Sequence, residues 1–212
     1  MDCNRAIVHP DGPGAAATPL PDRQPMEWPF GRLRRFGYDA ILADPPWSYK
    51  MYSAKGYEKS PEAHYSTMSD DDLYRLPVGS LAGRTCVLFL WATWPKLPVA
   101  HECIRRWGFQ HITGGAWLKT TKDGEGLRIG TGYSLRSACE PFLIARMGES
   151  QARLTDVSNV IISPGREHSR KPPEARAMLE RMTPNAWRCE LFGREQWPGN
   201  DVWGNETGKF TP

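Results

Sequence analysis

The sequence is poor in the signals that usually assign a chain quickly. Its five cysteines, Cys3, Cys86, Cys103, Cys139 and Cys189, are odd in number and widely spaced. There is no C-x-x-C pair and no His/Cys cluster at zinc-ligand spacing, which argues against a zinc module or a disulfide framework. The five histidines form no pair at ligand spacing either. No apolar run reaches the roughly eighteen residues of a membrane span, and the amino-terminal stretch lacks the apolar core of a signal peptide. The expected setting is therefore a reducing cytoplasm, away from membranes. No G-x-G-x-x-G follows the first strand, so a conventional dinucleotide-binding start is missing. A formal net charge of +3 permits nucleic-acid binding through a local patch but does not argue for it alone.

What is present is ordinary in bulk and unusual in detail. The chain has 212 residues, 40% hydrophobic and 24% charged, enough for one sizeable α/β domain. Nine tryptophans is a high count; such rings pack cores but also line sites that stack planar ligands. Residues 1–27 are rich in Pro, Gly and Ala and read as a flexible arm, residues 28–207 as the domain and 208–212 as a tail. Strands are expected at Tyr38–Ala43, Thr85–Trp91, Ile112–Leu118, Pro141–Met147, Val157–Ile162, Trp187–Phe192 and Asp201–Trp203. Helices are expected after Ser69, over Leu97–Trp107 and over Pro173–Met182. Strands alternating with helices indicate a mostly parallel sheet, which binds its ligands at the carboxyl ends of its strands.

At one such end stands Asp44-Pro45-Pro46-Trp47. An exocyclic amino group on a base is a weak nucleophile because its lone pair is delocalised into the ring. A carboxylate and a backbone carbonyl can each accept one of its hydrogens and turn the lone pair outward. Charge-assisted hydrogen bonds of this kind contribute about 1.5–3 kcal/mol each. Asp44 and the carbonyl of Pro45 suit that task, and Trp47 could stack on the ring. A strand-terminal turn with a packed Trp is the plainer alternative. Two long loops flank the site. One runs from Pro45 to Met68 with Tyr49, Tyr52, Tyr57 and Tyr65 and the lysines Lys50, Lys55 and Lys59. The other, Lys119 to Ala138, is rich in Gly, Lys and Arg. Lys119, Lys122, Arg128 and Arg136 read as phosphate contacts, with a solvated loop as the alternative.

Ala43-Asp44-Pro45-Pro46-Trp47 resembles the signature of the adenine N6-methyltransferases related to the mRNA adenosine methyltransferase (MT-A) seventy-kilodalton subunit. Further matches follow in the family's order: Tyr65 to Asp71 (YSTMSDD), Leu88 to Thr93 (LFLWAT), Trp117-Leu118-Lys119, Lys171-Pro172, Glu190 to Arg194 (ELFGR) and Trp203 to Glu206 (WGNE). The resemblance spans residues 38 to 206, and the compact single-domain chain with its D-P-P-W looks like prokaryotic or phage members. It implies a Rossmann-like methyltransferase fold using S-adenosyl-L-methionine. The motif order is permuted, with the amino-binding residues ahead of the main cofactor strand, which accounts for the missing glycine fingerprint.

By that resemblance, Asp44 and Pro45 hold the amino group, while Pro46 and Trp47 shape the ring pocket and complete the catalytic set. Asp44, Lys171, Phe192, Gly193, Arg194, Gln196, Asn205 and Glu206 bind the cofactor, Lys171 at its carboxylate and Asn205 and Glu206 at its ribose. Tyr65 and Glu140 lie near the target base. The family often has an acidic residue upstream of the D-P-P-W strand that holds the cofactor's adenine; here that stretch carries Trp28, Pro29 and Phe30. No metal is implied. The implied reaction is methyl transfer to adenine N6 in nucleic acid, with DNA ranked above RNA, by a chain that could pair with itself or with a partner subunit. A non-catalytic nucleic-acid-binding subunit is the rival. An amide-nitrogen methyltransferase is another, although its clamp usually has Asn where this chain has Asp44 and Tyr or Phe where it has Trp47.

Overall fold

The computed structural model describes residues 27–49, 67–132, 134–149, 156–166 and 170–210. The expected arm (apart from Glu27), Tyr52, Tyr57, Tyr65, the lysines Lys50, Lys55 and Lys59, and the end of the tail lie outside them. Among the described residues seven strands form one sheet: β1 (Tyr38–Ala43), β2 (Ala82–Trp91), β3 (Gln110–Thr120), β4 (Cys139–Met147), β5 (Val160–Pro164), β6 (Arg188–Leu191) and β7 (Asp201–Trp203). Their spatial order is β5-β3-β4-β2-β1-β6-β7. Four of the six pairings are parallel; β4 runs antiparallel to both of its neighbours, β2 and β3. This is the Rossmann-like α/β arrangement that the sequence leads one to expect.

Among the described residues three α-helices cover the sheet: α1 (Asp70–Arg75), α2 (Leu97–Arg106) and α3 (Pro173–Met182). Ser69 caps α1 by accepting from the Asp72 N–H, and its hydroxyl donates to the Asp72 carboxylate. In α2, Ala100, Cys103 and Ile104 are buried at i, i+3 and i+4. Gly108, at φ +81, turns the chain out of that helix in a conformation that glycine adopts without strain. The α1 and α2 side of the sheet buries Ile41, Ala43, Leu88, Leu90 and Trp107. The indole of Trp107 donates to the Leu73 carbonyl and joins the two helices. On the other side Ala175 and Leu179 of α3 pack against Ala40, Leu42, Val87 and Phe89. Each large apolar side chain buried this way stabilises the fold by about 1.5–3 kcal/mol relative to exposure.

Because β1 is covered on both faces, its interior reads as continuous apolar residues, and its bounds coincide with those expected. β3 is longer than expected at both ends. Gly114 and Gly115, which weaken it as a strand on propensity, are needed there. A Cβ on Gly114 would meet the Phe142 carbonyl at 2.5 Å, and one on Gly115 the Asn159 carbonyl at 1.9 Å. β5 begins three residues later than expected, at Val160.

Candidate active site

The parallel strands β1, β2, β3 and β6 end at the same side of the sheet, and the reversed β4 starts there. Asp44 follows β1 directly, and its N–H donates to the Leu191 carbonyl at the end of β6. The next residues form a pinned turn. The Trp47 N–H donates to the Pro45 carbonyl at 2.9 Å, and the Met68 N–H to the Pro46 carbonyl at 2.9 Å. Among the described residues the Pro45 oxygen thus keeps one lone pair for a further donor. Trp47 is 4% exposed and packs in the α1–α2 core. Its buried indole N–H has no acceptor among the described residues, and the same holds for Trp91 at the end of β2.

Four side chains then form an alternating ion chain. The Lys171 ammonium lies 2.8 Å from each Asp44 carboxylate oxygen and 2.9 Å from Glu140. The other Glu140 oxygen accepts from Lys119 at 2.8 Å. Lys171 also sits 5.5 Å from the Trp91 ring, and Lys119 4.6 Å from the Trp117 ring. Burial pushes the Asp44 carboxyl above its ordinary range despite Lys171. Burial acts the same way on Glu140, but there the two ammonium groups prevail and hold it below. Lys171, opposed by burial, is held firmly charged by its two carboxylates. The lead-in to α3 fixes this lysine. Arg166 donates to the Lys171 carbonyl at 3.1 Å, and Pro172 and Pro173 follow.

A cleft beside this chain is lined by Asp44, Lys171, Glu190, Phe192 and Arg194, with Arg170, Arg176, Glu195 and Phe210 around it. Here arginines dominate. Arg176 of α3 grips Glu190 at 2.6 Å and donates to the backbone carbonyls of Glu195 and Gln196. Arg170 pairs with Glu195 at 2.7 Å, and Arg194 with Glu206 at 3.1 Å. Burial lifts the Glu190 carboxyl to about 7, against the pull of Arg176. Phe192 leaves β6 at φ +62, an uncommon conformation for a bulky residue. Gly193 and Gly204 touch where the chain leaves β6 and β7. A Cβ on Gly204 would meet the Gly193 carbonyl at 2.5 Å. Edge-to-face contacts link Trp28, Phe30, Trp203 and Phe192 in series at 5.1–5.3 Å. The upstream aromatics therefore stand behind the Phe192 turn.

Of the residues named from sequence, Asp44, Glu140, Lys171 and Lys119 come together in one ion chain. Phe192 and Arg194 join Asp44 and Lys171 in the cleft. Gln196 reaches the Thr207 carbonyl at 3.4 Å, and Asn205 is exposed. Lys119 is committed to Glu140. Lys122, Arg128 and Arg136 lie exposed on the β3–β4 connection; Arg128 donates to the Arg166 carbonyl and Arg136 to that of Gly130. Sequence reasoning passed over Arg170, Arg176 and Glu195, and it named Glu190 within the ELFGR match without giving it a role. The signal for Glu190 was a carboxylate inside an apolar strand, facing Leu42 in register. The fold also brings His101 and His111 together, ring centroids 4.7 Å apart, a pair invisible in their spacing. No three metal-ligating side chains converge among the described residues, and no described helix is long and apolar enough to cross a membrane.

Similarity to known proteins bears on this site. The chain is 35% identical over 158 residues to an N(6)-adenosine-methyltransferase MT-A70-like protein of Arabidopsis thaliana, covering 74% of this chain and 22% of that one. It is 32% identical over 159 residues to the human N(6)-adenosine-methyltransferase catalytic subunit METTL3, covering 74% and 26%. To the human N(6)-adenine-specific methyltransferase METTL4 it is 28% identical over 187 residues, covering 82% and 38%. The chain thus spans about a quarter of the length of the first two relatives and more of the third. The MT-A70 family model matches residues 38–206, from the first residue of β1 to Glu206, and takes in the ion chain and most of the cleft. On that match, the chain belongs to the MT-A70 family.

Proposed function

We propose that this chain transfers a methyl group to the N6 amino nitrogen of adenine in a polynucleotide. The observation that carries the reading is Asp44, half-buried at the end of β1, beside a Pro45 carbonyl that accepts a single backbone N–H among the described residues, and next to a cleft of paired charges. The methyl donor of this family's methyltransferases is S-adenosylmethionine. The residues present fit it. Lys171 and the arginines offer cations to an amino-acid carboxylate, Asp44 and Glu190 offer anions to its ammonium, and Phe192 offers an apolar wall. When bound, the donor supplies a methyl group on a positively charged sulfur.

The protein's part is positioning and electrostatics, with no side-chain nucleophile. Asp44 accepts one N6 hydrogen and the Pro45 carbonyl the other, so the nitrogen lone pair leaves the ring plane. Lys171, released in part from Asp44, keeps its hold on Glu140 and turns the donor so released toward the cleft. Asp44 is the nearest acceptor for the proton shed after transfer, a role supported by a carboxyl that burial has already pushed upward. For the polymer we propose DNA. The relative with the longer alignment, 187 residues, is named for adenine, a base that both polymers carry, and so leaves DNA open. The higher identity to relatives named for adenosine makes RNA the outcome to measure beside it.

The test is nucleoside mass spectrometry of DNA and RNA from a host expressing the chain, with Asp44→Ala as the paired control. N6-methyladenine in DNA that vanishes in the variant is expected. Equal methylation by both proteins would sink the mechanism, and the modified base appearing only in RNA would overturn the choice of polymer.

A further inference from the structure

Two tryptophans are more than half exposed, and they sit at opposite ends of the sheet. Trp187 precedes β6 at the amino end and is 57% exposed, yet the Arg34 guanidinium lies 4.3 Å over its ring. Trp94 follows β2 at the carboxyl end and is 51% exposed. Among the described residues no cation and no second ring lies over its face. Its edge, by contrast, is tethered: the indole N–H donates to the Cys139 carbonyl at 3.3 Å. Its backbone is held as well. Trp94 opens a 3-10 turn that continues through Pro95, and the hydroxyl of the preceding Thr93 lies 2.5 Å from that of Tyr49. A large ring left in water forgoes the stabilisation of burial. One that is also oriented in advance has little freedom to lose when a ligand settles on it.

The tether gives the ring its address. Cys139 is the residue before Glu140, whose carboxylate meets Lys171 and, through it, Asp44. Trp94 thus stands on the rim of the same strand ends that carry the amino clamp. We propose that Trp94 is a stacking platform for the nucleobase next to the target adenine, in an unpaired strand. The proposal rests on the methyl-transfer reading above and adds a substrate form to it. Any base offers a π face to such a ring, so the platform reads strandedness and leaves sequence open. In an intact duplex the neighbour of a flipped base stays stacked inside the helix, where a protein ring cannot reach it.

The experiment uses the full chain and short single-stranded oligonucleotides containing one adenine, some with an abasic position beside it, together with the matching duplex. Stacking of one base corresponds to about 5-fold to 150-fold in affinity. Trp94→Leu should raise KM for the single strand by about 10-fold or more and leave kcat and cofactor affinity within a few-fold. Trp94→Phe, which keeps a ring face and loses the tether, should recover most of the loss. An abasic neighbour should weaken the wild type to a similar degree and add little to the loss in Trp94→Leu. That arm needs no variant and therefore stands even if Trp94→Leu folds poorly. An unchanged KM in Trp94→Leu, multiplying losses, or an equal preference for the duplex would each overturn the platform. Failure of the wild type to methylate any oligonucleotide would defeat the methyl-transfer reading. Fluorescence anisotropy with the same oligonucleotides would then decide the platform by itself, a loss of binding in Trp94→Leu supporting it and none refuting it.

Discussion

Two half-buried ion networks meet at this site, and they are built from different cations. The one around Asp44 runs through lysines, Lys171 and Lys119. The one around Glu190 runs through arginines, Arg176 and Arg170, and two of its bonds end on backbone carbonyls. A lysine ammonium is a compact charge on a flexible stem and can be re-aimed when a ligand arrives. An arginine fork has fixed directions and matches carboxylate and carbonyl partners together. The lysine network is therefore suited to exchange partners during a reaction. The arginine network is suited to hold the segment after β6 in one shape against α3. Similar charge pairing is thus suited to the proposed chemistry on one side of the cleft and to form on the other.

This contrast can be broken in a graded series. The largest effect belongs to Asp44→Asn, which keeps the size and loses the acceptor charge. Methyl transfer should fall at least about 100-fold in kcat, read in a single-turnover assay, with the fold intact by circular dichroism. Next is Lys171→Met, which strands two half-buried carboxylates; unfolding by urea should show a loss of about 3 kcal/mol. Arg176→Lys keeps its charge but loses the fork. It should cost about 1–3 kcal/mol and weaken cofactor binding measured by calorimetry, while Lys171→Arg should leave stability nearly unchanged. If both exchanges behave alike, the division of labour fails.

The smallest effect is a pH dependence. The Glu190 carboxyl stands at about 7 in the fold against an ordinary 4.5. Between those values the folded chain holds a proton that the unfolded chain has released. Stability contributed by this group therefore falls as pH rises from about 4.5 to about 7, and then levels off. Glu190→Gln removes the term. The wild-type stability relative to that variant should decline across this window in urea titrations at pH 5, 6 and 7.5. A difference independent of pH would show that Glu190 is ionised throughout.

Much of the fold was legible because local rules agree with it. β1, β7 and α3 lie where apolar runs and helix signals put them. The reversed direction of β4 was not legible, since a run such as PFLIARM carries no sign of the way it will point. Nor was the need for Gly114 and Gly115, which arises only when the β4 and β5 backbones close in. At the site, Asp44, Glu140, Lys171 and Lys119 could be named one by one, but their joining into one chain spans 127 positions between Asp44 and Lys171 and is a property of the fold. Arg176 was hidden for a different reason. It sits beside the apolar stripe of α3, where a solvated arginine is the ordinary expectation, and only β6 turns it into a clamp.

The reversal of β4 has a consequence for how recognition can vary. Because β3 and β4 form an antiparallel pair, the connection that leaves at Thr120 returns at Cys139 to the same side of the sheet. It never has to cross back behind the strands as a parallel connection must. Such a hairpin can lengthen or shorten without disturbing the sheet, since doubling a flexible loop costs only about 0.6 kcal/mol. Both of its anchors, Lys119 and Glu140, are already members of the ion chain. The segment between them is thus an adjustable finger beside the proposed reaction centre, free to change its reach and charge while the ion chain at its base stays the same.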